Sequence, residues 1–284
     1  MMHHVVRLVW FYVRLIKVPQ TGLLLFTAVG GFRSGSGNID LAPALTATLG
    51  MLFVISGTTA LNMVFDRDID YIMERTKMRP IPTGKVSPES ATIFGVLLIL
   101  GGSILNIRVS ILFATVVAAG MFFDFVIYTI WLKRRSPWSI IFGGLAGGMP
   151  ILAGRSLDIG SIDLIGLLLA LSILFWIPTH ILTLTMNHSR DYKLAGVPTF
   201  PNVFGYANAH YFIAISNIVS ASIILYVFQL LKVSVVGVFV CTIGSLVLLA
   251  FSAQTVINPN KKTHFSLFRF ASVYIGGVML ILVL

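Results

Sequence analysis

Apolar stretches of about 20 residues, the length an α-helix needs to cross the hydrocarbon core of a bilayer, recur along almost the whole chain and are separated by short polar joints. The pattern predicts nine spanning helices, at residues 18–34, 42–65, 90–107, 110–131, 138–155, 162–185, 206–230, 233–253 and 265–284. The segment before them, MMHHVVRLVWFYVRLIKVPQ, interleaves Arg7, Arg14 and Lys17 with aromatic side chains and shows no small-residue cleavage site after a clean apolar run. Residues 1–17 are therefore expected to form an interfacial helix and not a signal peptide. The segment also lacks the serine-rich character of a transit peptide, which favours a prokaryotic plasma membrane. The expected architecture is an all-α integral membrane protein, a single domain over residues 1–284.

Composition agrees with the pattern. At 57% hydrophobic and 11% charged, the chain is too apolar to hide its side chains around the one core of a soluble domain. A net charge of +10 would suggest nucleic acid in a soluble protein, but here the placement of the charge decides its meaning. With the N-terminus inside, sixteen of the 20 basic side chains fall on the cytoplasmic face, and only Arg33, Arg108, Arg155 and Lys232 fall on the other. That is the bias of the positive-inside rule, and it places the C-terminus outside. A missed or invented span would have switched every later loop and dissolved the bias. Anionic lipid headgroups, and no nucleic acid, are the partners this charge implies. The lone cysteine, Cys241, lies in an apolar run and can build neither a disulfide framework nor a cysteine metal site.

The chemistry collects in two long cytoplasmic joints. The first reads LNMVFDRDIDYIMERTKMRPIPTGKVSP, in which Asn62, Asp66 and Asp70 stand at i, i+4 and i+8. On a continuing helix they form one column, while Asp68 points elsewhere. Negative charges stacked at a helix C-terminus repel one another and oppose the macrodipole, so a cation is needed there. Magnesium, which joins one or two carboxylates to substrate phosphates, suits the column. Arg75, Lys77, Arg79 and Lys85 follow within the same loop and could hold the phosphate oxygens that a metal leaves free. A third joint on the same side, WLKRRSPWS, adds Lys133, Arg134 and Arg135, although topology alone explains basic residues there. A surface ion pair would explain any one of these aspartates; the whole column at a membrane edge points to a site.

The second joint, FWIPTHILTLTMNHSRDYKLAGVPTFPNVFG, repeats the spacing with Asn187 and Asp191, candidate ligands for a second metal or for the far side of the same diphosphate. With a single carboxylate, a solvated helix end explains the pair nearly as well. Pro178 is expected to kink or break the sixth span and bring Thr179 and His180 near freed backbone. His180 is open between an acceptor-site role, a hydrogen-bonded core histidine and an interfacial one. Asp124, inside the fourth span, must face the interior, either as a site residue or as the partner of a buried Tyr or Arg. The following GGLAGGMP allows close helix packing, and a flat acceptor could use the same space.

At these residues the chain resembles the UbiA superfamily of intramembrane prenyltransferases, whose N-x-x-x-D-x-x-x-D motif is matched by Asn62, Asp66 and Asp70. Within the superfamily it is most similar to the branch that farnesylates protohaem IX, on the stretches DRDIDYIMERTKMRPIPTGKVSP, TIWLKRRSPWSIIFGGLAGGMPILAG and DYKLAGVPTFPNVFG; the resemblance covers about residues 20–280. It implies nine helices around a cavity open to lipid, with Mg2+ held by Asn62, Asp66, Asp70 and Asp191. It further implies a diphosphate met by Arg75, Lys77, Arg79 and Lys133, and an acceptor met by His180 and Asn187. Farnesyl diphosphate and haem B would be substrates, and a haem-handling partner such as haem A synthase would follow. Many superfamily members carry a fuller acidic second motif, where this chain keeps only Asp191 with Asn187. Rival readings are the same chemistry on a quinone precursor or a lipid glycerol and, in a different class, a transporter or haem-binding channel. The transporter predicts ionisable residues through the membrane depth, whereas most acidic residues here lie at one boundary.

Overall fold

The computed structural model describes residues 2–35 and 40–284, and among them the only regular structure is helical. In chain order the elements are α1 (Met2–Leu15), α2 (Val18–Arg33), α3 (Leu41–Phe65), the short α4 (Arg67–Ile72) and α5 (Pro88–Val109). Next come α6 (Ile111–Met121), which runs on as a π-helix over Phe122–Leu132, then α7 (Ser139–Ile159) and α8 (Leu164–Asn187). The short α9 (Ser189–Leu194) and α10 (Phe200–Phe204) precede α11 (Tyr206–Leu230), α12 (Val235–Ile257) and α13 (Lys261–Val283). Among the described residues eight helices are long and apolar enough to cross a bilayer, α6 counting with its π-helical continuation. Their ends lie within four residues of the predicted ones. The ninth predicted span, α2, has only 16 residues; α1 and α2 meet at a bend of 55° and make up the ninth only if the bent pair counts as one span.

That bend falls where the sequence separated an interfacial segment from the first span. Lys17 takes the left-handed conformation there, at φ 46° and ψ 59°, and Pro19 opens α2 immediately after it. Of the kink or break expected at Pro178, the break is absent: α8 runs from Leu164 to Asn187 with the proline inside it. Helix α7 packs closely along this part of α8: a Cβ on Gly144 would stand 2.5 Å from Leu174 Cδ1, and one on Gly148 would stand 2.6 Å from the Ala170 carbonyl oxygen.

Helices in lipid gain little from hiding apolar surface from one another, so close packing through small residues carries the assembly. Two crossings show this. In the α3–α5 pair, Gly57 lies against the Gly95 carbonyl and Gly102 against that of Gly50, where an added Cβ would stand at 2.4 Å in each case. In the α2–α7 pair, a Cβ on Gly31 would fall 2.0 Å from the Ile151 carbonyl oxygen, and one on Gly154 would fall 1.9 Å from that of Ala28. The α7 stretch GGLAGGMPILAG thus does what its composition predicts, packing against α2, the π-helical stretch and α8.

At the end of the bundle away from the aspartate column, Arg155 is buried. Its Nε and Nη2 donate to Asp163 at 2.8 and 2.7 Å, and its Nη1 donates to the carbonyl and hydroxyl oxygens of Ser34. The arginine is therefore no end marker, and α7 continues past it to Ile159, where Gly160 caps it at φ 76°. Gly31→Ala is expected to cost about 1–3 kcal/mol by forcing α2 off α7. Thermal melting in detergent should show a clear drop for this variant, against none for Gly276→Ala, where no atom lies within 4 Å of the added Cβ.

Candidate active site

The helical hydrogen-bond ladder carries through the end of α3 into α4. The Asp66 amide donates to the Asn62 carbonyl at 2.9 Å, and the Asp70 amide donates to the Asp66 carbonyl at 2.8 Å. Asn62, Asp66 and Asp70 consequently share one face as the spacing predicts, and all three are buried, at 7, 5 and 3% exposure. Asp68 points away to the surface.

Buried carboxylates must be paired, and the cations come from other parts of the chain. Lys133, just past the π-helical stretch, donates to Asp66 Oδ2. Arg79 Nη1 donates to both oxygens of Asp70, at 2.8 and 2.6 Å. Arg134 forms a fork on exposed Asp68 at 2.6 and 2.7 Å and also donates to the Phe65 carbonyl at 2.9 Å, tying the end of α3 to the loop after α6. Asn62 Nδ2 donates to Asp124 Oδ2 at 2.7 Å. Asp124, left open in the sequence between a site residue and the partner of a buried Tyr or Arg, thus joins the column.

The electrostatics follow from these contacts. Burial alone would lower the Lys133 pKa, but Tyr128 and Asp66 together hold its ammonium above the ordinary lysine value. The Nζ also lies 5.9 Å from the centre of the Tyr128 ring. The hydrogen bonds from Arg134 hold the Asp68 carboxyl below the usual range. Lys17, assigned to topology from the sequence, belongs to this neighbourhood. Burial, then repulsion from Arg79, bring its pKa down to about 8 against the attraction of Asp124 and Asp66. Its left-handed backbone, unusual for a residue with a Cβ, is the signal that marks it, and no sequence pattern carries that signal.

Two atoms of the column stand out. Asn62 Oδ1 and Asp66 Oδ1 are buried and have no hydrogen-bond partner. Neutral and anionic oxygens left open in this way fit the hard-cation ligands that Mg2+ requires. Among the described residues no three His, Cys, Asp or Glu side chains gather into a ready-made metal site. A metal here would therefore complete its shell with water and substrate oxygens, the habit of Mg2+ in phosphate-bearing sites.

The second joint is brought to the first by a small apolar cluster: Ile69, Met73 and Val197, with Tyr192 and Ala195 packed on it. Asp191 then lies beside the first loop, where it accepts the backbone amide of Arg75 at 3.4 Å, with His188 Nδ1 at 3.9 Å. Asn187, at the end of α8, is exposed. Of the four basic residues predicted to meet a diphosphate, Arg79 and Lys133 stand on the column. Arg75 brings its amide while its side chain is exposed, and Lys77 pairs with Glu74 at 2.6 Å on the surface. His180 is stacked between Trp176 and Phe268, with ring centres 5.5 and 4.5 Å away, and its Nδ1 is buried without a partner.

The description "UbiA prenyltransferase family" belongs to the family model that matches residues 23–274. A protoheme IX farnesyltransferase of Archaeoglobus fulgidus is 35% identical over 272 residues, covering 96% of both chains. One of Korarchaeum cryptofilum is 37% identical over 270 residues, covering 95% of this chain and 92% of its own. Among solved structures, one from work on digeranylgeranylglyceryl phosphate synthase superposes with a TM-score of 0.80 at 20% identity, over 97% of each chain. A UbiA homologue from Archaeoglobus fulgidus bound to GPP and Mg2+ superposes with a TM-score of 0.71 at 18% identity, over 96% of this chain and 100% of its own. With a family match over most of its length and a bundle of spanning helices, the chain belongs to the UbiA prenyltransferase family and is a multi-pass membrane enzyme, a prenyltransferase.

Proposed function

We propose that the enzyme transfers the farnesyl group of farnesyl diphosphate to a vinyl group of protohaem IX (haem B), giving haem O, at the cytoplasmic face of a prokaryotic plasma membrane. The observation that carries the reading is the buried column of Asn62, Asp66 and Asp70, with open oxygens on the first two, Lys133 on Asp66 and Arg79 on Asp70. The names of the relatives support haem as acceptor, and the homologue bound to GPP and Mg2+ supports a metal-dependent diphosphate site.

Asn62 and Asp66 would hold Mg2+ through their free Oδ1 atoms, with Asp70 and Asp191 close by on the same two joints. When bound, the metal supplies Lewis-acid neutralisation of the diphosphate as it leaves. Lys133 and Arg79 donate to the aspartates in this structure, and their ammonium and guanidinium groups can turn to phosphate oxygens and stabilise the charge that develops on them. The allylic C–O bond breaks, a vinyl carbon attacks the farnesyl C1, and water adds the hydroxyl of the hydroxyethylfarnesyl product while losing a proton. Apolar helix walls keep other water from the cation meanwhile. Haem is a substrate in this scheme and not a cofactor. His180, flanked by two aromatic rings and with Nδ1 open, is the acceptor-side contact, to iron or to a propionate. Asn187 marks the same side of the second joint, and a partner such as haem A synthase would receive the product.

Purified protein with farnesyl diphosphate, haem B and Mg2+ is expected to give farnesylated haem by mass spectrometry, and to give none with chelator or in Asp66→Ala. Diphosphate release with an aromatic or lipid-glycerol acceptor but no haem product would keep the prenyltransferase and discard haem. Arg79→Gln should raise the KM for farnesyl diphosphate by about tenfold, the equivalent of one charge-assisted hydrogen bond. Arg134→Ala, which removes an exposed pair worth under about 1 kcal/mol, should stay within about twofold. His180→Ala is expected to weaken haem binding; unchanged haem affinity and turnover would remove it from the acceptor site.

A further inference from the structure

The partner of Asn62 comes from an unusual piece of helix. Over Phe122–Leu132 the backbone is π-helical, and the pattern reaches Lys133, whose amide donates to the Tyr128 carbonyl five residues back at 2.8 Å. A π-helix makes about 4.4 residues per turn, against 3.6 for an α-helix. Asp124 and Lys133 are nine positions apart in the chain. In the π register that is close to two full turns and one face; in an α register it is about two and a half turns and opposite faces. The two side chains meet Asn62, in the last turn of α3, and Asp66, which caps that helix one turn further on. A continuous α-helix could aim one of them at the column and would turn the other toward lipid.

The Asn62–Asp124 contact has a chemical consequence. An asparagine amide can face either way, with its oxygen or its nitrogen toward a neighbour. An ionised Asp124 accepts hydrogen bonds and donates none, so in that form only the orientation with Nδ2 on Asp124, the one this structure has, satisfies both groups. That orientation leaves Asn62 Oδ1 buried and unpartnered, as Asp66 Oδ1 is one turn further on. The reverse orientation would present an N–H pair, which repels a cation.

We infer that Asp124 is a positioning residue: by accepting the Asn62 side-chain amide it turns the Asn62 oxygen toward the metal, and the π-helical stretch exists to bring Asp124 and Lys133 to the same face of the site. This rests on the proposed metal–diphosphate role of the column. Asp124 itself presents its contacting oxygen to Asn62 and takes its effect through that amide.

The test is a Mn2+ titration followed by electron paramagnetic resonance, with inorganic pyrophosphate present and full-length protein in detergent. Wild type, Asp124→Leu, Asp124→Asn, Asn62→Ala and the Asn62→Ala/Asp124→Leu double variant are compared, with melting of each unliganded protein as the check on folding. Asp124→Leu is expected to weaken Mn2+ binding about tenfold. Asp124→Asn, whose carbonyl can accept the same hydrogen bond, should stay within about threefold of wild type. In the Asn62→Ala background Asp124→Leu should add nothing, because the interaction it acts through is already gone. Losses that add in the double variant, or an Asp124→Asn as weak as Asp124→Leu, would overturn the inference by showing an effect of charge or fold and not of amide orientation. Absence of Mn2+ binding by wild type with pyrophosphate would instead overturn the metal reading and take this inference with it.

Discussion

Everything at the candidate site depends on the cost of burying negative charge at the end of a membrane bundle. Asp66 and Asp70 are nearly sealed from solvent, and an unpaired carboxylate in such a place would either stay protonated or unfold its surroundings. Each is therefore met by a cation brought from another segment: Lys133 from beyond the π-helical stretch, and Arg79 from the loop after α4. The ion pairs draw α3, the first joint and α6 to one point. Removing one partner of such a pair leaves an uncompensated charge, worth about 3–5 kcal/mol, so the site's charges also hold its walls in place. The same pairing keeps positive groups beside the place where a substrate's phosphates would displace them.

The far end of the bundle meets the same problem in another way. Arg155 spends its donors on Asp163 and Ser34, so α7, the start of α8 and the end of α2 are locked by one guanidinium. Between the two ends the helices touch through glycine, and the close crossings of α3 with α5 and of α2 with α7 leave no room for a Cβ. Rigid crossings of this kind matter to the chemistry because a column on α3 is only as well placed as α3 itself. The ionisable side chains with defined partners thus lie toward the ends, in contrast to the path through the membrane depth that a transporter would need.

Much of this was legible in the sequence. Hydropathy placed eight spans to within four residues, because a bilayer demands uninterrupted apolar length and internally satisfied backbone, which a linear pattern records. The i, i+4, i+8 spacing put Asn62, Asp66 and Asp70 on one face, because helical periodicity is a local property. The first span was less legible: α2 is short and joins α1 at a bend whose cause is one left-handed lysine. Pro178 was read as a kink or a break because a proline removes a local hydrogen bond, whereas α8, packed between α7 and α11, runs on through it unbroken.

Partnership is where the sequence stopped. By itself it determined the class of protein, the approximate limits of eight spanning helices, and the residues that carry charge at one end. Tertiary structure alone decided that Lys133 and Arg79, and not Lys77, stand on the aspartate column, that Lys17 joins them, and that Asp124 binds Asn62. The reason is physical. Apolar length and helical period act between residues a few positions apart, but the partner of a buried charge is chosen by how helices and loops pack and how many residues each turn contains, from nine positions away for Arg79 and Asp70 to 67 for Lys133 and Asp66.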